Sequence, residues 1–318
     1  MKKLVISALM AAMAITAGPA LAQVKLTRQQ MMVFTSDWKG ERFPDGRPKL
    51  PDDLLKRAVN CTFEDIWGYM RAHGYNNQYE GDDWKFLHKD QPFAGRALTA
   101  QYAPSRPDLR AAIFAEGKKE GFVGNTVSWP IEQLVEGDVY VADNYNKVAF
   151  GPIIGSNLAN SIYAHSHNGF VFYGAIRDQE EAREIKGFNG VYRHYDPTPN
   201  GDMVLTAINA PVRIGQAIVL PGDLVLVKNE GVLFIPAAMA EAAVSHAEFT
   251  SIRDVFGFAM LKAGRFSPGE IDAPWTPQIN AAFVDYVNTH PDLLKGKMSR
   301  AEFDALQQQS AQGKSAAE

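Results

Sequence analysis

The sequence has a single cysteine, Cys61, among 318 residues, which excludes an intramolecular disulfide. Cys61 sits in Val59-Asn60-Cys61-Thr62-Phe63 without a spaced partner, and reads as a small buried residue. Lysine and arginine form no block: 32 basic side chains are dispersed against 36 acidic ones, for a net charge of −4. A surface without clustered cations is poorly suited to displacing the counterions of a nucleic acid, so no nucleic-acid partner is expected. Beyond residue 18 no apolar run approaches the roughly 20 residues needed to cross a bilayer, so no membrane association is expected of the mature chain. Nor is there an internal repeat, which excludes solenoids and propellers.

The one long apolar run lies at the start. Lys2 and Lys3 precede an apolar stretch over 4–18, and Ala20-Leu21-Ala22 supplies the small-x-small pattern of a signal-peptidase site. Residues 1–22 therefore read as a cleavable leader cut after Ala22, and the expected destination is the periplasm or the exterior. Without Lys2 and Lys3 the basic count falls from 32 to 30 against 36 acids, a mature net charge of about −6.

Residues 23–50 are polar and turn-rich, as in Asp45-Gly46-Arg47-Pro48, and read as an extended arm lying on another surface such as a neighbouring subunit. Apolar residues then recur at three- and four-residue spacing from 52 to 74, predicting one helix closed by Gly74. Short strand-like runs at 97–102, 139–142, 169–173, 204–208, 217–220, 224–227 and 232–235 alternate with helical stretches at 107–121, 157–164, 177–185 and 237–246. That order predicts an α/β fold with a mixed sheet over 51–248. Residues 249–318 read as a helical extension with a Pro-rich break at 267–277 and a disordered end after about Gln307. Trp38, Trp84, Trp275 and Phe283 read as cover for apolar surface between subunits.

Chemistry concentrates in 151–178, GPIIGSNLANSIYAHSHNGFVFYGAIRD. A glycine-bearing loop leads into a helix starting near Ser156 or Asn157, whose first N–H groups suit a carboxylate. A buried strand follows, ending in Gly174-Ala175-Ile176-Arg177-Asp178. Arg177 offers a planar fork for a carboxylate or an enolate, and Asp178 offers oxygen to a hard divalent ion. Ligands of α/β sheets commonly lie at the carboxyl ends of strands. His165 and His167 fall in a short turn and read as surface or capping groups. Asp143 reads as a turn residue with a site role as the alternative. Arg193, His194, Tyr195 and Asp196 read as turn contacts, with the same cleft as the alternative.

The 155–178 segment with its GAIRD end, Gly137-Asp138-Val139-Tyr140-Val141-Ala142-Asp143, VYRHYDPTP at 191–199, Ala210-Pro211-Val212, Pro221-Gly222-Asp223-Leu224-Val225 and Glu230-Gly231-Val232 occur in one order over roughly 50–245. Together they resemble the regulator of ribonuclease activity A (RraA-like) family, which includes the 4-hydroxy-4-methyl-2-oxoglutarate aldolases. The resemblance implies a compact mixed-sheet domain of the swivelling β/β/α type, assembled as a trimer or hexamer with sites between subunits. It implies a divalent-metal-dependent lyase acting on a 2-oxo acid, by aldol cleavage releasing pyruvate or by decarboxylation of the oxaloacetate type. Carried over, Asp178 would hold Mg²⁺ or Mn²⁺ largely through waters, Arg177 would bind the 2-oxo acid and its enolate, and Gly155, Ser156, Asn157 and Leu158 would cradle the carboxylate. One departure stands out. Aldolase members tend to carry an acid twenty-one positions before the Arg, where this chain has Ser156. A non-catalytic periplasmic binding or scaffold protein of the same fold is therefore the alternative expectation.

Overall fold

The computed structural model describes residues 24–312 apart from Asp82. The leader read from residues 1–22 lies outside the described residues, as do the last six positions. Helices α1 (Arg28–Phe34), α2 (Asp52–Asn60) and α3 (Phe63–Ala72) come first. Strands β1 (Tyr79–Glu80) and β2 (Lys85–Phe86) precede the twelve-residue β3 (Phe93–Pro104). Then follow α4 (Pro107–Lys119), β4 (Asp138–Asp143), α5 (Ser156–Ser166), β5 (Phe170–Ile176), α6 (Gln179–Arg183) and β6 (Gly190–Tyr195). Five strands come next, β7 (Met203–Ile208), β8 (Val212–Ile214), β9 (Ala217–Val219), β10 (Leu224–Lys228) and β11 (Gly231–Ile235). Helices α7 (Ala237–Lys262), α8 (Pro268–Asp272), α9 (Pro277–Thr289) and α10 (Arg300–Ala311) close the chain. Among the described residues no helix is long and apolar enough to cross a membrane.

The sheet is mixed, ordered β1-β11-β10-β3-β4-β5-β6-β2, with β7 also paired to β3. Strands β3 to β6 run parallel, whereas β7, β10 and β11 pair antiparallel. Strand β3 exceeds the expected 97–102 because its two ends serve different partners on one edge: 93–96 pair with β10 and 100–104 with β7. Side-chain alternation explains the layering. Leu98, Ala100, Tyr140, Phe170 and Phe172 point to one face and join the core under α5, while Leu224, Leu226, Leu233 and Ile235 meet α2, α3 and α7. Val139, Val141, Val171 and Val191 point to the other face, which the β8–β9 hairpin and Trp84 cover. A sheet buried on both faces accounts for near-continuous apolar strands such as FVFYGAI.

Several expectations are corrected. The arm packs into its own chain: Val24, Met31 and Leu50 are buried, Lys25 bridges Ile208, and Arg47 forms a 2.9 Å ion pair with Asp138. The predicted helix at 52–74 is two, broken at Cys61 and restarted by Thr62, whose hydroxyl bonds Asp65 at the third helical position. Helix α7 runs 26 residues, well past 246, because its second half packs Phe249, Ile252 and Phe256 against α9 and α10. Arg57 of α2 ties its first half down, donating to both Glu248 oxygens at 3.0 and 2.7 Å. Trp275 and Phe283 belong to this C-terminal core, Trp84 fills the hairpin-side core, and Trp38 packs beside α2 and α3. Helix α10 continues through Ala311 and buries Gln307, beyond the point where the apolar periodicity fades.

The start of α7 carries a pH dependence. Buried Asp223 accepts the Ala237 N–H at 3.2 Å and the Leu220 N–H at 2.8 Å. Burial pushes its carboxyl up to about 7 from 3.8, against those two bonds. The folded chain therefore holds this proton more tightly than the unfolded chain. Stability from this group is full below about pH 4 and is lost as pH rises to about 7. With about 1.4 kcal/mol per tenfold change in proton affinity, the loss is on the order of 4 kcal/mol. Asp223→Asn cannot titrate, so the difference between its urea unfolding curve and the parent's should vary across that window. A pH-independent difference would refute the assignment.

Candidate functional site

The site is assembled where β5 ends. Ile176 delivers Arg177 and Asp178, and the Arg177 N–H bonds the Ile154 C=O at 3.1 Å. Asp178 takes a left-handed conformation, φ 52° and ψ 42°, which lets the chain turn abruptly into α6; aspartate tolerates that region better than most residues. The turn swings its carboxylate back to the start of α5, where Oδ2 accepts the Ser156 N–H at 3.1 Å. Gly155, the residue before α5, has no side chain with which to cap that helix; Asp178 caps it instead. The first intrahelical bond runs from Ala159 to Gly155, so the amides of Asn157 and Leu158 belong to the open first turn.

Arg177 Nε lies 3.9 Å from Asp178 Oδ2, and both side chains are partly exposed, 41% and 33%. Gly155 stands against them: a Cβ there would overlap Asp178 Oδ2 and come within 2.9 Å of Arg177 Nε. The structure thus brings Gly155, Ser156, Asn157, Leu158, Arg177 and Asp178 around one open pocket of about 170 Å³. Ile153 and Ile154 supply an apolar wall.

Four lining residues were not legible in the sequence. Asn125 and Val127 come from the loop after α4, and Pro199 and Asn200 from the turn before β7. That turn is clamped to the 144–151 loop, since Phe150 C=O accepts the Gly201 and Asp202 N–H groups and Phe150 N–H donates to Thr198 Oγ1. Buried Asn144 orders the same loop by donating to Gly151 C=O at 2.7 Å. The alternatives fall elsewhere. Arg193 stacks on Trp84 and Tyr173 on the hairpin side of the sheet. Asp143 is the buried last residue of β4, accepting from the Tyr145 N–H and from Gln101. His165 and His167 sit at the far end of α5, His167 paired with Glu136 at 2.6 Å.

The donor set bears on a divalent ion. Among the described residues no three His, Cys, Asp or Glu side chains gather to hold a metal. An ion caged by protein ligands alone does not fit. A hard ion that keeps most of its waters and is held by one carboxylate does fit, with Asp178 as that ligand.

Comparison with known proteins agrees with this architecture. The chain is similar to Protein DlpA of Legionella pneumophila, 24% identical over 198 residues, covering 58% of this chain and 28% of that protein. The match therefore spans little more than a quarter of the relative. In fold the chain is similar to RraAS2 of Streptomyces coelicolor, described as an unusual member of the RNase ES inhibitor RraA protein family, with TM-score 0.55, 22% identity, and 66% and 97% of the two chains covered. An uncharacterized protein of Pseudomonas syringae pv. tomato gives TM-score 0.55 at 17% identity, covering 71% of this chain and 95% of its own. Residues 55–234, more than half of the sequence, match the RraA-like (Aldolase/RraA) profile, and the chain belongs to the RraA-like family.

Proposed function

We propose that this chain is a divalent-metal-dependent lyase acting on a 2-oxo acid in an extracytoplasmic compartment. RraA-like proteins are usually oligomeric, and the family includes metal-dependent aldolases and decarboxylases as well as non-catalytic ribonuclease inhibitors. The observation that carries the enzymatic reading is the convergence of the Arg177 guanidinium, the Asp178 carboxylate and the first-turn amides of α5 on one pocket. Bound Mg²⁺ or Mn²⁺, with Asp178 as its protein ligand, would supply Lewis acidity toward the 2-oxo group.

The chain's own groups set the rest. The first-turn amides of Asn157 and Leu158 bind the carboxylate of the 2-oxo acid. Arg177 stands beside them to neutralise the enolate oxygen that develops as the C–C bond breaks. Loss of CO₂ leaves its electron pair in the enolate, which then takes a proton at carbon. Aldol cleavage also needs a base for a hydroxyl proton, and Ser156 is a poor one. Decarboxylation therefore asks less of this site than aldol cleavage.

The test is pyruvate release from oxaloacetate and from a hydroxy-oxo diacid by the mature chain with Mg²⁺ or Mn²⁺. Turnover should stop on chelation and fall about 10²–10³-fold in Arg177→Ala and Asp178→Ala. The second reading, a non-catalytic binding protein, is favoured by Ser156 standing where aldolases carry an acid. Saturable binding of oxaloacetate without pyruvate release would establish it and overturn the lyase.

A further inference from the structure

A second pocket, of about 220 Å³, shares no lining residue with the first. The arm, the loop after α3, β9 and the start of α7 enclose it. Its walls hold three aromatic side chains, Phe34, Trp38 and Tyr75, together with Ile218. Phe34, Tyr75 and Ile218 are 48%, 39% and 51% exposed, so an apolar mouth stands open to water. Trp38 is held in place, because its indole N–H donates to the Glu41 C=O at 2.8 Å and its ring lies over Gly40, where a Cβ would meet it.

The charges are of one sign. Asp223 lines the pocket with 3% of its surface exposed, and Asp37 adds a second carboxylate at the arm. No lysine, arginine or histidine lines it. The two groups that bond Asp223, the N–H of Leu220 and of Ala237, fix its orientation without bringing a full positive charge. An anion would meet two carboxylates here. Above about pH 7, where Asp223 has given up its proton, a neutral ligand would leave this buried charge uncompensated. A cation on an apolar body would satisfy both the rings and the acid, because aromatic faces attract cations electrostatically. We propose that this pocket binds a small organic ammonium whose charged head approaches Asp223 between the faces of Phe34, Trp38 and Tyr75.

The test compares three ligands with one aromatic body, phenethylammonium, 2-phenylethanol and phenylacetate, titrated calorimetrically into the mature chain at about pH 8. Phenethylammonium should saturate one site at least about tenfold more tightly than the alcohol, with no binding of the carboxylate. Asp223→Asn should weaken the ammonium about tenfold, and Trp38→Leu and Asp37→Asn each about threefold. The last two variants lie on the arm and keep the test decisive if Asp223→Asn fails to fold, since Asp223 holds the start of α7. Equal affinity for the alcohol, unchanged affinity in Trp38→Leu and Asp37→Asn, or no saturation by about 10 mM ammonium would each overturn the proposal.

Discussion

Gly155→Ala should leave the chain folded and reduce 2-oxo acid turnover about 100-fold or more. Gly155 has φ −128° and ψ −166°, extended backbone that alanine adopts without strain. The obstacle is spatial. The added methyl would overlap Asp178 Oδ2 and press on Arg177 Nε. Both atoms sit on flexible, partly exposed side chains, so they can swing away and the folding cost should stay below about 1 kcal/mol. In swinging away, Asp178 would give up the Ser156 N–H, and Arg177 would lose its place beside the first turn of α5. Displacement of about 1 Å at reacting groups costs about 10²-fold. Steady-state kinetics beside thermal unfolding separate the two effects. Parental turnover in Gly155→Ala would mean that the positions of these two side chains do not govern the reaction.

The second large effect concerns the arm. Arg47→Ala should destabilise the fold by about 3–5 kcal/mol. Arg47 and Asp138 are buried, 1% and 0% exposed, and pair at 2.9 Å. Burial already holds the Asp138 carboxyl above its usual range, outweighing the Arg47 charge. Truncating Arg47 leaves that carboxylate with the Val135 N–H at 3.0 Å as its remaining donor, since Oδ1 has no partner among the described residues. A carboxyl whose proton is held more tightly in the folded chain loses stability as pH rises, and Arg47→Ala strengthens that tendency. The defect should therefore shrink toward pH 5. Pairing Arg47→Met with Asp138→Asn should recover most of the loss, because neither residue is then a lone buried charge. Urea unfolding of the parent and these two variants at two pH values would check this. A loss below about 1 kcal/mol in Arg47→Ala would show that the arm is only loosely held.

How much of this was legible beforehand depends on range. The Gly155-to-Asp178 segment was readable because strand, turn and helix start lie within 24 consecutive residues, and local chemistry decides them. Asn125 and Asn200 reach the same pocket from loops far along the chain, which no spacing rule detects. The break at Cys61 had a local signal in Thr62-Phe63-Glu64-Asp65, a capping pattern, but a continuous apolar stripe on both sides masked it. The arm looked extrinsic because it is polar, and the residue that binds it in is Arg47. A buried arginine reads on the page like any surface cation until Asp138 is placed opposite. The tail aromatics Trp275 and Phe283 read from sequence as a subunit boundary for want of a visible core, whereas α7, α9 and α10 make one of their own.

Helix α7 has one further consequence. Its first half lies against α2 and α3, and its second half is the spine of the C-terminal core, with no interruption over 26 residues. At 1.5 Å per residue it is a rod of about 39 Å. A rod without a hinge passes torque from one end to the other. Whatever grips the tail of this protein also grips the layer behind β10 and β11.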